Sequence, residues 1–280
     1  MAGSSMKAIK LRIRSVESTM QITKAMQLVA TSKLRKAKER MEVSKPYAAI
    51  SREAIMGAVA SLEDTSLPYL RAREVKKRCY VVIAGERGLA GGYNANVFKA
   101  VLAHAEGTPY CVLPLGRKAI EKFERMGIEL LNDDYWHVEG LSVTVCYKLA
   151  GILTDGYLRE DYDEVFLVYT SFQSMMTQEV KTEKLLPIEK TEENKRPVTA
   201  VYEPSAEEML TRVMPDFLAG RLYSACCDAF ASEVSARRNA MDSATKNAGE
   251  MIANLRLHYN RARQGAITQE ITEIVAGAEH

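Results

Sequence analysis

The sequence predicts a central α/β domain, Rossmann-like with a mainly parallel sheet, and a long antiparallel coiled coil formed by two terminal helices. Residues 6–42 and 207–276 have the apolar spacing of long helices, each with a narrow seam. The chain between them alternates short apolar runs with helical stretches, which is typical of βαβ units. We therefore expect three segments, at 1–62, 77–190 and 206–280.

The first helix carries one heptad seam along its length. Its apolar positions follow steps of four and three residues: Ile9, Ile13, Val16, Met20, Ala30, Leu34, Ala37 and Met41. Between the two apolar blocks, Thr23 and Gln27 hold the same register. The remaining apolar side chains of the middle, Ile22, Met26, Leu28 and Val29, point to other sides of the helix. This part of the helix is therefore expected to contact more than its partner helix.

The last helix has a second heptad seam, built largely from small residues. Its members are Met241, Thr245, Ala248, Ile252, Leu255, Tyr259, Ala262 and Ala266. The long chain between the helices predicts that they run antiparallel, with the C-terminal end projecting past the N-terminus. Pro215 predicts that the last helix begins after Met214 or bends there. A plain helical bundle is the alternative, but narrow seams and only 7% aromatic residues favour the coiled coil.

Positive charge is concentrated on the first helix, although the net charge is only +2. Between residues 7 and 40, ten lysines and arginines are opposed only by Glu17 and Glu39. Such a surface favours an acidic partner: nucleic acid, an anionic membrane or acidic protein loops, with a solvated face as the plain alternative. The helix has no aromatic residues for base stacking, so a protein partner is favoured.

Cysteines, hydropathy and the N-terminus all fit an intracellular protein. The five cysteines are odd in number and lack metal-ligand spacing, which favours reduced thiols. No stretch approaches the length of a membrane span. Because the seam begins near Met6 or Ile9, no removable leader is expected.

The middle of the chain predicts the elements of the α/β domain. Strands are expected at 79–84, 109–115, 164–170 and 179–188, a short strand at 128–131, and helices at 97–105, 117–126 and 142–159.

A glycine-rich turn at 85–94 follows the first strand and precedes a helix, as phosphate-binding loops do. It lacks the Lys-Ser/Thr of a Walker loop, and no acidic residue lies at the distance for ribose recognition. We therefore expect Gly85, Gly88, Gly91 and Gly92 to provide positive φ and close packing instead.

No catalytic or metal-binding constellation emerges from the sequence. The four histidines, His104, His137, His258 and His280, are scattered, and none has a cysteine or carboxylate at a metal-ligand interval. Ser171, Ser174 and Thr177 have no neighbouring histidine. We therefore expect neither an active site nor a cofactor.

Long motifs in the same order resemble the gamma subunit of F-type ATP synthase, the rotary ion-translocating enzyme. They are residues 22–34 (ITKAMQLVATSKL), 86–94 (ERGLAGGYN), 202–204 (YEP), 259–264 (YNRARQ) and 267–275 (ITQEITEIV). The resemblance covers almost the whole chain. Chain length and the expected lack of a leader favour a bacterial-type subunit. In that family the coiled coil is a rotor shaft inside a ring of catalytic and noncatalytic subunits.

The resemblance implies partners and a location. The partners would be the alpha and beta subunits of the catalytic hexamer, the epsilon subunit and the membrane c-ring, with one copy of the chain per complex and no nucleic acid. The chain would lie peripherally on the cytoplasmic face of the cell membrane. It would carry no chemistry; an asymmetric rotor biases the nucleotide sites of its neighbours by differential contact.

The resemblance and the surface pattern together select contact residues. Contacts with the catalytic subunits are expected at Lys24, Met26, Lys33, Lys36, Arg263, Gln264, Thr268 and Glu270. An apolar collar is expected around Ile267, Ile271, Ile274 and Val275. Tyr202 and Glu203 match the segment that contacts the membrane ring. Two other functions compete: a nucleotide-binding α/β enzyme, and a basic coiled-coil scaffold for nucleic acid or membrane.

Overall fold

A computed structural model describes residues 2–62, 67–132, 134, 136–189, 202–203 and 205–278, and the side chains of all of these except 2–5, 276 and 278. Seven residues of the sequence predictions lie outside the described residues: Met1, Asp133, Tyr135, Lys190, Pro204, Glu279 and His280. The elements in chain order are α1 (Ala2–Ser61), β1 (Arg78–Ile83), α2 (Tyr93–His104), β2 (Tyr110–Leu115), α3 (Arg117–Arg125), α4 (Val143–Leu158), β3 (Glu164–Phe172), β4 (Gln178–Leu186) and α5 (Ala206–Ala278).

The chain divides into two compact units, and α1 and α5 contribute to both. The first unit comprises Met1–Thr31 and Arg237–His280, and the second comprises Ser32–Ala236. Each is described by itself below. The three-segment division expected from the sequence stays a prediction.

The first unit is an antiparallel pair of helices. Glu17 of α1 pairs with Arg256 of α5 at 2.9 Å, and Gln27 Nε2 donates to Asp242 Oδ1 at 2.8 Å. Partner numbers fall along α5 as they rise along α1, so the helices run in opposite directions. The predicted seam of α5 is confirmed by its burial, with Met241 and Ile252 about 95% buried. Apolar burial along this seam holds the two helices together.

Polar groups interrupt the seam of the first unit where the sequence placed Thr23 and Gln27. The Thr23 and Thr245 hydroxyl oxygens lie 2.8 Å apart, and the Thr245 hydroxyl also donates to the Met241 carbonyl at 2.8 Å. These half-buried groups satisfy one another's hydrogen bonds. The seam therefore tolerates polar residues because each finds a partner across or along the helices.

The second unit contains a four-stranded sheet in the order β2-β1-β3-β4. β1 is parallel to β2 and β3, whereas β4 is antiparallel to β3. The apolar runs of β1 and β3 are covered on both faces, as parallel strands require. One face packs against α2 and α3, through Val97 and Phe123 among others. The other packs against α1, α4 and α5. The predicted, mainly parallel α/β domain is confirmed.

Two predicted boundaries were wrong, and one alternative is excluded. The first helix does not end near Glu42; it continues through Pro46 to Ser61 because Ile55 and the residues after it pack in the sheet core. The last helix begins at Ala206, as the predicted range 207–276 indicates. It continues through Pro215, which excludes a start after Met214, and Leu210 is fully buried upstream of the proline. Burial there outweighs the roughly 3 kcal/mol that an internal proline costs. The strand expected at 128–131 is only one bridge, between Leu130 and Val112.

Candidate functional site

The last turns of α5 expose an apolar stripe. Ile267, Ile271, Ile274 and Val275 are 44%, 57%, 70% and 55% exposed. The helix pairs place Ala2 opposite residues near 270 of α5, so the described part of α1 does not accompany the final turns. An exposed apolar stripe of this kind marks an interaction surface.

The predicted polar contacts of α5 surround this stripe. Arg263, Gln264, Thr268 and Glu270 are all exposed. The Thr268 hydroxyl donates to the Gln264 carbonyl of its own helix at 3.0 Å. Neither Arg263 nor Glu270 forms an ion pair with any of the described residues. The structure therefore brings these four residues and the apolar stripe together on one helix end, with their charged groups available to another chain.

The basic residues predicted on α1 fall in both units. In the first unit Lys24 is exposed and Met26 is half-buried. In the second, Lys36 is exposed, but the Lys33 ammonium lies 2.7 Å and 2.8 Å from the two carboxylate oxygens of Glu139. Lys33 therefore has an acidic partner within its own chain. Exposed pairs of this kind contribute little, so Lys33 remains capable of exchanging partners.

Tyr202 and Glu203, the predicted ring contacts, differ in their surroundings. Tyr202 is half-buried against the main apolar core of the second unit. Glu203 is exposed, two residues before the next described residue, Ser205. Tyr202 therefore fixes residues 202–203 to the core, while Glu203 faces outward.

The glycine-rich turn is held by internal contacts. Asn94 Oδ1 accepts from the Gly85 N–H at 2.8 Å. Glu86 accepts from the N–H groups of Val138 at 2.8 Å and Arg117 at 3.3 Å, which places its carboxylate at the start of α3. Negative charge at a helix N-terminus is favourable. Glu86 therefore ties the turn to the start of α3 and to the segment before α4.

The expectation of positive φ at four glycines of this turn was mostly wrong. Of the four, only Gly91 has positive φ, at 58°, and Leu89 also adopts this conformation, at 62°. Gly85 has a different reason to be glycine, because a Cβ there would lie 2.9 Å from the Glu233 side chain. The turn therefore needs close packing at Gly85 and a left-handed backbone at Gly91.

The sequence did not reveal the role of Arg40. Its guanidinium donates to the carbonyls of Glu139 at 2.8 Å and Leu141 at 2.5 Å, and to the Tyr223 hydroxyl at 3.1 Å. Burial opposes its charge, but the bond to Tyr223 and the nearby Cys227 raise the pKa of Arg40 overall. Arg40 thus joins α1, α5 and the segment before α4. These partners are about 100 and 180 residues away along the chain, so no local pattern signals them.

The five cysteines are buried and free. Burial raises the pKa of Cys146 to about 12, which keeps its thiol protonated and unreactive. Within the described residues no group of three or more histidine, cysteine or acidic side chains could hold a metal ion. No described helix is long and apolar enough to span a bilayer.

Comparison with known proteins identifies the family. The family model described as ATP synthase matches residues 5–280. A gamma chain of ATP synthase from Ruminococcus albus is 45% identical, over 97% of this chain and 96% of that relative. The chain belongs to the ATP synthase gamma-chain family. Another gamma chain, described as sodium ion specific, from Acetobacterium woodii, is 41% identical over 97% of both chains.

Solved structures agree with the fold. A chain of the central stalk and c-ring of the Tetrahymena thermophila mitochondrial ATP synthase is 25% identical, with a TM-score of 0.61 over 80% of this chain and 99% of that chain. A Euglena gracilis ATP synthase chain, 17% identical, has a TM-score of 0.67 over 99% of this chain and 94% of that chain, and shows the fold alone. Gamma chains are noncatalytic subunits of the central stalk, so this chain has that role and the two competing functions fall away.

Proposed function

We propose that the last turns of α5 are the tip of the rotor and turn inside an apolar collar formed by the alpha and beta subunits. The observation that carries this proposal is the exposed stripe of Ile267, Ile271, Ile274 and Val275. Apolar contact is non-directional, so a ring of apolar side chains would hold such a tip without fixing its rotational angle.

Polar residues near the tip and on α1 would supply contacts that depend on angle. Arg263, Gln264, Thr268 and Glu270 present both charges and hydrogen-bonding groups, and Lys24, Met26, Lys33 and Lys36 give α1 a largely basic surface. Single exposed ion pairs contribute about 0–1 kcal/mol, so such contacts would guide rotation rather than stop it. Each catalytic subunit would meet a different face of the rotor, which biases its nucleotide site.

The foot of the rotor would involve the second unit. Tyr202 and Glu203 would contact the membrane c-ring, and the epsilon subunit would bind beside them. The complex would then lie on the cytoplasmic face of the cell membrane, with one copy of this chain. The support is the half-buried anchor at Tyr202 with an outward-facing Glu203 next to it.

Co-purification from the host tests this function. The tagged chain should bring alpha, beta and epsilon subunits with it, and the purified complex should hydrolyse ATP. The double substitution Ile271→Asp with Ile274→Asp should weaken retention of the chain at least tenfold, about 1.4 kcal/mol. Val143→Asp is the matched control, because Val143 is also exposed and an acid suits the start of α4. Equal retention of the tip variant and wild type would contradict the collar.

A further inference from the structure

The two edge strands of the sheet, β2 and β4, differ in how far their outer backbone groups are hydrogen-bonded. On the outer side of β2, Val112 donates its N–H to Glu129 and accepts from Leu131, both at 2.9 Å, so that edge is partly covered. On the outer side of β4, no backbone hydrogen bond from residues 178–186 reaches any described residue other than those of β3. β4 spans nine residues, of which Leu185 and Leu186 are buried, so its open part, 178–184, is about 24 Å long. Natural proteins protect an edge of this length with charged side chains or with a cover, and β4 carries two lysines and two glutamates.

A groove follows this open edge. Its larger part, of about 780 Å³, is lined by five consecutive residues of β4, 179–183, and its smaller part, of about 220 Å³, continues along 183–185 and 187–189. Tyr169 and Ser171 of β3 and Arg221 and Ser224 of α5 also line the larger part. It therefore lies over the sheet face that packs against α1 and α5, next to β4. The opposite wall is one side of α1: Lys45, Ala48, Ala49, Arg52 and Met56. The two alanines leave room between helix and strand.

Most charges of the groove are neutralised within the chain. Glu183 is paired with Arg221 and, at 3.3 Å, with Arg52. The buried Asp228 accepts from the Ser171 hydroxyl at 2.9 Å and the Phe172 N–H at 2.8 Å.

The charges that remain define the occupant. Lys45, Glu179 and Lys181 line the groove and are exposed, and they form no ion pair within the part of the chain that the structure describes. Cross-strand pairs of opposite charge are favourable, whereas like charges repel. A fitting strand therefore places an acidic side chain against Lys181 and a basic one against Glu179.

We propose that β4 accepts an extended polypeptide segment of another subunit as a fifth strand of the sheet. Main-chain hydrogen bonds to the open edge supply affinity, and alternate side chains of the added strand occupy the groove beside α1. The segment carries an acidic residue that pairs with Lys181. This inference rests on the proposed function only in taking the partner from the same complex.

Hydrogen exchange at single-residue resolution tests the added strand. The isolated chain is compared with the intact complex purified from the host, using mass spectrometry with fragmentation that preserves amide positions. In the complex, every second amide of 178–184, those not bonded to β3, should exchange at least tenfold more slowly. Amides of β1, already paired on both sides, serve as the reference.

Three results would overturn the inference. In the first, the amides of β4 exchange equally fast in the isolated chain and in the complex. In the second, exchange slows at all β4 amides rather than at every second one, as it would under a covering helix or a small anion. In the third, Lys181→Glu leaves the slowing as strong as in wild type. The control is Lys99→Glu, an exposed lysine of α2 that should change nothing at β4. If amide exchange slows at the last turns of α5 but not at β4, only the added strand is refuted. If no other subunit co-purifies with the chain, the proposed function is refuted.

Discussion

Gly116 is the glycine whose replacement the structure predicts to be most damaging. It follows β2 with φ 88° and ψ 142°, and a Cβ there would lie 2.1 Å from the Ala84 carbonyl oxygen. Gly116→Ala therefore incurs about 1–3 kcal/mol for the backbone conformation and must also move a strand-end carbonyl by nearly 1 Å. We expect a total loss of about 4 kcal/mol or more in the free energy of unfolding, a size that few single substitutions reach.

Substitutions at two other glycines separate the cost of the backbone conformation from the cost of the steric clash. Gly127 has φ 68° but open space around its Cβ position, so Gly127→Ala should cost only about 1–2 kcal/mol. Gly140 has neither constraint, and Gly140→Ala should be neutral or stabilise by about 0.4–1 kcal/mol. Urea unfolding followed by the fluorescence of Trp136, the single tryptophan, reports on the unit that contains all three. If Gly116→Ala proves no worse than Gly127→Ala, the steric argument fails.

Two further predictions concern charge and burial. The pKa of Glu164 is lowered, because hydrogen bonds from Lys184 and Arg78 outweigh the effect of burial. The ionised Glu164 therefore stabilises the folded chain fully above the pKa of the unfolded state, near 4.5, and this stabilisation is lost as pH falls below that value. In this acidic range the urea midpoint of wild type should drop more steeply than that of Glu164→Gln. Ile252→Ala in the seam should cost about 2–4 kcal/mol in thermal unfolding, whereas Leu257→Ala, 58% exposed, should change stability by less than about 0.5 kcal/mol. Equal effects of the two would contradict the assigned seam.

The heptad seams were predictable from sequence because their signal is local and repeats. Ala30, Leu34, Ala37 and Met41 are all buried in α1, as their spacing indicates. The strands of the α/β domain were predictable for a similar reason, since short apolar runs bounded by glycine or proline are typical of buried parallel strands. Within the candidate site, exposure of the apolar stripe at the end of α5 followed from the same periodicity.

What the sequence could not supply depends on tertiary contact. Proline propensity suggested that the last helix begins after Met214 or bends there, but packing against the sheet extends the helix upstream of Pro215. The pairing of Lys33 with Glu139 joins residues 106 positions apart, so no spacing rule predicts it. Leu89 adopts a left-handed backbone conformation, although residue preferences would predict that conformation at a neighbouring glycine instead. The open edge of β4 likewise depends on strand order rather than on composition.

The sharing of one core by α1 and α5 has a consequence for synthesis of the chain. Ile55 and Val59 of α1 belong to the same buried cluster as Leu218 and Leu222 of α5, which leave the ribosome more than 150 residues later. At about 5–20 residues per second, the apolar face of the first helix waits roughly 10–30 s for its permanent cover. Nascent chains are thus prone to aggregation until translation is nearly finished. A chaperone that shields the N-terminal helix during this time would raise the yield of folded subunit.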